Sequence, residues 1–517
     1  MSTPSAPATR EQFSGQLGFL LSAIGSAVGL GNIWRFPGVA YANGGGAFLI
    51  PYLVALLTAG IPILLLEYGL GHRYRGSAPA VFRRVGKKFE SLGWFQVAIS
   101  LSIMFYYIIV LAWAASYLFF SVNLAWGDDP VSFLVGDYLQ VSDPGFTLAI
   151  NGKVLLPTVL LWVFVYLALR GSVRKGLEVV NKIAIPLLVV MFLTLVVRAI
   201  FLPGATEGLN AFFTPNWPAL MQPGVWIAAY TQIFFSLSVT FGIMITYSSY
   251  LKARANLVPV GLVAAFANSS FELLAGFGVF ATLGFMATTQ GVPLDDLSLT
   301  GVGLSFMTFP TVISTMPGGP IFGVLFFGSL LLAGFTSMVS ITEVVIAAIR
   351  EKFALSRATA VGAIVGVGVV VSVVVFTTTN GLNALDVVDN FTNNIGVAAS
   401  AVVEVAIIAF IARLLPTLQH HLNQTSTLQL AGWWRIVIMI NPFVLAYVLV
   451  VTIIGLLTEG YDVYPMDFLG LFGWGTVALM VIFAVVATVL PWRTEVDRFT
   501  PLPLDPYTTR SGKEIRA

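Results

Sequence analysis

Twelve apolar stretches, each long enough to cross a bilayer, divide this chain of 517 residues from its N-terminal segment to its C-terminal tail. They fall at 17–40, 47–71, 93–122, 153–170, 177–201, 224–250, 257–286, 321–349, 358–378, 386–412, 433–457 and 467–491. A helix needs about 20 residues to span the hydrocarbon core. In lipid every backbone polar group must be satisfied internally, which favours helices of this length. The pattern predicts an all-α membrane protein of twelve transmembrane helices. Only 10% of the residues are charged, against about 25% in a soluble domain, so the lipid bilayer is this chain's solvent. Met1 to Gln16 is polar and poor in positive charge, and no small-residue cleavage site follows the first apolar run. That run therefore reads as a retained span, not a cleaved signal.

The charges are segregated along the chain. Arg73, Arg75, Arg83, Arg84, Lys87 and Lys88 follow the second stretch, whereas loop 123–152 holds Asp128, Asp129, Asp137 and Asp143 and no Lys or Arg. The alternation continues with Arg170, Arg174, Lys175 and Lys182, then Lys252 and Arg254, then Arg350, Lys352 and Arg357, then Arg413 and Arg435. The opposing loops 288–320, 379–394 and 458–466 carry no Lys or Arg. Basic loops stay in the cytoplasm, so both termini are expected there, which requires an even number of spans. These loops read as topology signals, with no nucleic-acid partner. Cys is absent, which excludes thiol nucleophiles and thiolate metal sites. His72, His420 and His421 are expected in polar loops, which disfavours a zinc or histidine-based membrane enzyme. Asn43-Gly-Gly-Gly-Ala47 lacks the Gly-Lys-Ser/Thr ending of a nucleotide loop.

Two stretches are poorly suited to continuous helix. The first reads Gly25-Ser-Ala-Val-Gly-Leu-Gly-Asn-Ile-Trp-Arg-Phe-Pro37. Close helix packing explains glycines, but not Asn32 and Arg35 beside them. Unwound backbone at membrane depth survives only where it lines a cavity. The sixth reads Gln232-Ile-Phe-Phe-Ser-Leu-Ser-Val-Thr-Phe-Gly242. Paired interruptions at corresponding positions of two halves point to a transporter's binding site, with freed carbonyls for a cation and freed amides for an anion.

Gly29-Leu-Gly-Asn-Ile-Trp-Arg-Phe-Pro37, followed by Asn43-Gly-Gly-Gly-Ala-Phe48, resembles the signature of the neurotransmitter:sodium symporter family. Similar stretches recur at Lys175-Gly-Leu-Glu178, Pro223-Gly-Val-Trp226, Gln232 to Tyr250 and Ala333-Gly-Phe-Thr-Ser337. The resemblance implies a five-plus-five inverted repeat with helices 1 and 6 broken, plus two further C-terminal helices. It divides the chain into a cytoplasmic segment 1–16, a first repeat 17–201, a second repeat 224–412, helices 433–491 and a cytoplasmic tail 492–517. It also implies a sodium-driven importer of a small or medium neutral amino acid in a bacterial inner membrane.

The site residues come from the same resemblance. One sodium ion is expected at the Ala27 carbonyl, Asn32, Ser236, Asn268 and the substrate carboxylate. A second is expected at the carbonyls of Gly25, Val28 and Ala333 with the hydroxyls of Thr336 and Ser337. The substrate pocket is expected from Ala27, Leu30, Gly31, Ile103, Tyr107, Phe235, Ser236, Ser238, Phe241, Ser337 and Ile341. Amides of the broken first helix and the Tyr107 hydroxyl would hold the carboxylate; the carbonyls of Phe235 and Ser236 would take the ammonium. Monoamine carriers of the family place an aspartate where this chain has Gly29, so the substrate should bring its own carboxylate. Arg35 is expected to pair with Asp389 as an outer gate, and Arg10 with Glu351 as an inner gate. Phe13 stands where bacterial leucine carriers have tryptophan. Glu272 lies four residues after Asn268, on one helical face, near Tyr52, Gln232 and Ser236. Animal relatives that need chloride tend to have serine there, so Glu272 is expected to replace chloride. If it titrates, it returns protonated and the cycle becomes a proton antiport. Glu67 and Glu343 read as structural acids. Met338 and Thr240, if they face the pocket, would narrow it toward small substrates.

Three other readings compete. A sodium-independent exchanger of this fold would lack the Thr336–Ser337 hydroxyl pair. An enzyme would need a convergent nucleophile and base. A channel would show a charged ring and not the isolated Arg35 and Asp389.

Overall fold

The computed structural model describes residues 11–291, 293–294 and 301–503, and the backbone of two two-residue strands, Tyr507–Thr508 and Glu514–Ile515. Among the described residues, ten helices are long and apolar enough to cross a membrane. They are Gly46–Tyr74, Lys87–Phe120, Gly152–Leu169, Leu177–Ile200, Leu257–Thr289, Gly319–Phe353, Arg357–Phe376, Gly381–Ile411, Trp433–Thr458 and Met466–Val489. An eleventh is bent by 50° between Gln16–Ala27 and Leu30–Ala42. The twelfth is split into Pro223–Ser236 and Ile243–Ser248, each piece too short to span alone. In chain order the split pieces are the first and sixth spans, each heading a set of five.

The breaks have local causes. Val28 (φ −75°, ψ 97°) and Gly29 (φ −130°, ψ −163°) are extended, so the helix stops after Ala27 and restarts at Leu30. In the sixth span Ser238 (φ +53°), Thr240 (φ +69°) and Gly242 (φ +82°) are left-handed. Glycine takes that conformation freely; for a β-branched threonine it is strained, and contacts described below hold it.

The basic loops gather at one end of the bundle. There Glu11 accepts from Arg350, Arg357 and the Val173 N–H, and the Phe13 N–H donates to the Tyr250 carbonyl. Phe13 is buried, edge-on to Phe19, Tyr247 and Tyr250. Glu351 accepts from the Ser77 N–H and hydroxyl at 2.8 and 2.6 Å, and Arg10, its expected partner, lies outside the described residues. Glu343 is held by Arg357 and Tyr250, a structural role. His72 and His421 are buried, not in polar loops as expected, because helices Ile61–Tyr74 and Leu415–Thr425 pack together and bring their rings to 2.9 Å. Burial pushes the His421 imidazole down to about 3, keeping it neutral.

The tail from Trp492 straps this end. Lys352 is wholly buried, 2.8 Å from Glu90 and between the rings of Trp94 and Trp492. Asp497 takes a two-pronged bond from Arg83 at 2.8 and 2.9 Å and lies 3.2 Å from Lys87. Hydrogen bonds from Arg83 pull its carboxyl down to about 2. A depressed carboxylate stabilises above its unfolded pKa, and the contribution vanishes as pH falls through the folded value. Asp497 is half exposed, so solvent screening limits the bond to below about 1 kcal/mol. Limited proteolysis should therefore find Asp497→Asn cut in the tail sooner than the wild type at neutral pH. The difference should close as pH approaches 2; equal cutting rates at neutral pH would show that the bond does not hold the strap.

Candidate functional site

A cavity of about 300 Å³ opens between the two breaks. Its wall includes all eleven residues expected there: Ala27, Leu30, Gly31, Ile103, Tyr107, Phe235, Ser236, Ser238, Phe241, Ser337 and Ile341. It continues past Arg35, Asp389 and Tyr461, away from the basic end that Phe13 and the strap close. A larger groove of about 920 Å³ lies on the outer flank of the third, fourth and eighth spans. That groove is lined by apolar side chains such as Leu156, Leu160 and Phe164, with Lys153 its one charged residue. It lacks the convergent polar groups that mark a specific site.

The two breaks are tied to each other. The Ser238 hydroxyl donates to the Ser26 carbonyl at 2.9 Å. Ser337, from the eighth span, reaches the carbonyls of Gly25, Ser26 and Ala333 at 3.4, 3.3 and 3.2 Å. Thr336 lies beside it, donating to the Ala333 carbonyl at 2.9 Å. Oxygens from Gly25, Ala333, Thr336 and Ser337 therefore converge behind the cavity, and Val28 ends the same helix at the break.

A second oxygen cluster starts at Asn32. Its Oδ1 accepts from the Gly29 N–H at 2.9 Å, and its Nδ2 donates to Asn268 Oδ1 at 2.8 Å. Asn268 Nδ2 then donates to Ser236 Oγ at 3.1 Å. All three side chains are buried. One turn along the seventh span, Glu272 is also buried. It accepts from the Tyr52 hydroxyl and, at 2.7 Å, from Gln232 Nε2. The Ser269 hydroxyl lies 2.8 Å from the same Tyr52 oxygen.

Gly29 faces this machinery with no side chain. A Cβ there would lie 2.8 Å from Ser337 Oγ and 3.3 Å from the Tyr107 hydroxyl. Gly31 is equally confined, since a Cβ would lie 2.2 Å from the Phe235 ring. The Leu30 N–H and Tyr107 hydroxyl face each other at 3.4 Å.

Three expected features stand differently in this conformation. Arg35 and Asp389 share the cavity wall, but no ion pair joins them among the described residues. Arg35 lies 4.9 Å over the Phe235 ring, and Asp389 is held by Tyr106 at 2.6 Å and Asn393 at 2.9 Å. The two residues expected to form an outer gate therefore stand apart while the basic end is closed. Met338 is fully buried and Thr240 likewise, and neither lines the cavity. Met338 follows Ser337 by one residue and so turns about 100° away from it on the helix. Tyr106, Asn393, Gln96 and Glu404 were not singled out from the sequence. A Glu at 404 in the middle of an apolar run was the available signal, since intramembrane acids are rare and usually functional.

The sequence profile of the Sodium:neurotransmitter symporter family matches residues 10–140 and 128–495. The chain belongs to this family. It is a sodium-dependent membrane transporter and not an enzyme. An uncharacterized sodium-dependent transporter of Methanocaldococcus jannaschii is 40% identical over 484 residues, 93% of this chain and 97% of that protein. The sodium- and chloride-dependent GABA transporter 2 of Bos taurus is 35% identical over 377 residues, 66% of this chain and 62% of the relative. The sodium-dependent serotonin transporter of Drosophila melanogaster is 35% identical over 67% of this chain and 60% of its own length.

The crowding at Gly29 gives a test that needs no substrate. A ligand that binds only the folded state stabilises it, so sodium should raise the melting temperature of the purified protein. Gly29→Ala forces Ser337 aside, and overpacking of this kind costs about 1–3 kcal/mol. The sodium concentration giving half the thermal stabilisation should rise about tenfold or more. An unchanged sodium titration would show that Ser337 takes no part.

Proposed function

We propose that this symporter imports a small or medium neutral amino acid, driven by two sodium ions and without chloride. The observation that carries the reading is the unbroken hydrogen-bonded line from Gly29 through Asn32, Asn268 and Ser236, with the Glu272 carboxylate one helical turn beyond Asn268. Sodium is a hard cation that takes oxygen ligands. Asn32, Asn268 and Ser236, with the Ala27 carbonyl and the substrate carboxylate, form the first ion's shell. Shared ligation by the substrate links ion and amino acid in one site. The second ion takes the carbonyls of Gly25, Val28 and Ala333 and the hydroxyls of Thr336 and Ser337, and so holds the first span against the eighth.

The substrate carboxylate lies between the Leu30 amide and the Tyr107 hydroxyl, a gap now bridged by one long contact. The carbonyls of Phe235 and Ser236 take the ammonium. Gly29 leaves no carboxyl group to pair a bare amine, which favours a substrate with its own carboxylate. Ile103, Phe241 and Ile341 give the side-chain end an apolar wall. A charged side chain would lose its hydration there without a partner.

Glu272 is the fixed negative charge that chloride supplies elsewhere in the family. Protonated on the return step, it makes the cycle a proton antiport. Arg35 and Asp389 close the outer mouth once substrate is bound, and Arg10 and Glu351 the inner one. The basic end of the bundle is cytoplasmic, with both termini on that side, in a bacterial inner membrane. Segments 17–201 and 224–412 act as the two inverted halves.

Uptake of labelled alanine by proteoliposomes tests this reading. It should run in sodium gluconate, stop in potassium gluconate, and be lost in the double variant Thr336→Val, Ser337→Ala. Glu272→Ser should run only when chloride is restored. A chloride requirement in the wild type, or unimpaired sodium-driven uptake in the double variant, contradicts it.

A further inference from the structure

The groove of about 920 Å³ between the third, fourth and eighth spans is separate from the central cavity. Leu156, Leu160 and Phe164 of the fourth span and Phe119 of the third stand exposed along it. Its floor belongs to the eighth span. From Phe326 to Ala348 every residue of that helix is buried except Leu331, Leu332 and Phe335, and all three line the groove. They share a turn with Ala333 and Thr336, whose oxygens belong to the second cluster. Thr336 also faces the Leu332 carbonyl at 3.2 Å. The groove is therefore a window through which the bilayer reaches a helix that is otherwise enclosed.

Its wall offers almost no hydrogen bonding. The Ser116 hydroxyl is already met by Tyr138 at 2.8 Å. Lys153, the one charged residue, stands at the rim on the first turn of the fourth span. The other end of that span meets the basic end of the bundle, where Arg357 donates to the Leu169 carbonyl at 2.8 Å. Lys153 Nζ donates to the Asp137 carbonyl at 2.6 Å, and among the described residues no carboxylate pairs with it. An ammonium has three N–H donors, so two remain for another acceptor. Lys153 is also the one Lys or Arg between Lys88 and Arg170. Four aspartates in loop 123–152 make the outer face a poor surface for anions in general, so a preference for an anion here has to come from Lys153.

The dimensions select the ligand. Lys153 and Phe164 are eleven residues apart, about 16 Å of helix. One leaflet of the hydrocarbon core is about 15 Å deep. A long apolar wall with a single cation at its rim matches a molecule that is hydrocarbon for the depth of one leaflet and carries one negative charge at its end.

We propose that the groove binds one anionic phospholipid from the leaflet opposite the basic loops. Its phosphate takes the two open donors of Lys153. One acyl chain lies along Leu156, Leu160 and Phe164 and ends against Leu331, Leu332 and Phe335. The chain tip thus rests on the reverse of the turn that carries Ala333 and Thr336.

Photocrosslinking of the full-length protein in liposomes tests this. The probes are phosphatidylglycerol with a diazirine at the end of one acyl chain and phosphatidylcholine with the same chain. After illumination, mass spectrometry of peptides should find the phosphatidylglycerol adduct on residues 331–335 in about fivefold excess over the phosphatidylcholine adduct, the effect of one lysine near an anionic lipid. Lys153→Gln, an exposed substitution, should bring the two lipids level there. It should leave unchanged the adducts on Trp433–Thr458, a span that does not line the groove. Leu160→Trp, which fills the groove from an exposed position, should lower both adducts at 331–335. Equal adducts of the two lipids there in the wild type, or an excess that survives in Lys153→Gln, overturns the proposal. So does the absence of any lipid adduct there, the result expected if a neighbouring protein helix sat in the groove.

Discussion

Backbone unwound at membrane depth has to find a partner for every group it frees, and this requirement organises the centre of the molecule. Water cannot supply those partners in hydrocarbon. Asn32 takes the Gly29 amide, Ser238 and Ser337 take the Ser26 carbonyl, and Glu67, Ser400 and Ser100 take the peptide groups from Thr240 to Phe241. Apart from Asn32, which caps its own break, each partner comes from a different helix or from the opposite break. The second, third, eighth and tenth spans are therefore linked to two short irregular segments by polar contacts, not by apolar packing alone. A ligand that replaces any one of these partners changes what holds the helices in place.

Asn32, Asn268 and Ser236 satisfy each other here through neutral hydrogen bonds. The same oxygens suit a hard cation. The cavity is open past Arg35 and Asp389, whose side chains are held by Phe235 on one side and by Tyr106 and Asn393 on the other. At the far end Phe13, Glu11 and the tail strap close the bundle. The geometry is that of a carrier accessible from the end opposite its basic loops.

Much of this was legible in the sequence, for physical reasons that also mark where legibility stops. Long apolar runs announce spans because lipid leaves a helix few alternatives. Asn32 and the polar run from Gln232 to Gly242 announced the breaks because such residues have no cause to sit in a continuous lipid-facing helix. The direction of individual side chains was not legible. Met338 and Thr240 turn away from the cavity, since helix phase relative to a cavity depends on how several spans pack. A glycine would be expected at a left-handed position in the sixth-span break; a threonine occupies it because the second and tenth spans clamp its peptide groups and hydroxyl. The pairing of Arg35 with Asp389 depends on conformational state, which residue types do not encode. Glu67 could be read as structural, but its bond to the Thr240 amide depends on packing of the second span against the sixth-span break.

The central claim is that ion and substrate share one site, so each must favour the other by the same factor, as linkage requires. Binding of radioactive sodium to the purified protein, measured with and without saturating alanine, tests it most directly when paired with alanine binding measured with and without saturating sodium. The account predicts that alanine raises sodium affinity, and by the factor by which sodium raises alanine affinity. Sodium binding that is indifferent to alanine, in a protein whose uptake still requires sodium, would contradict it.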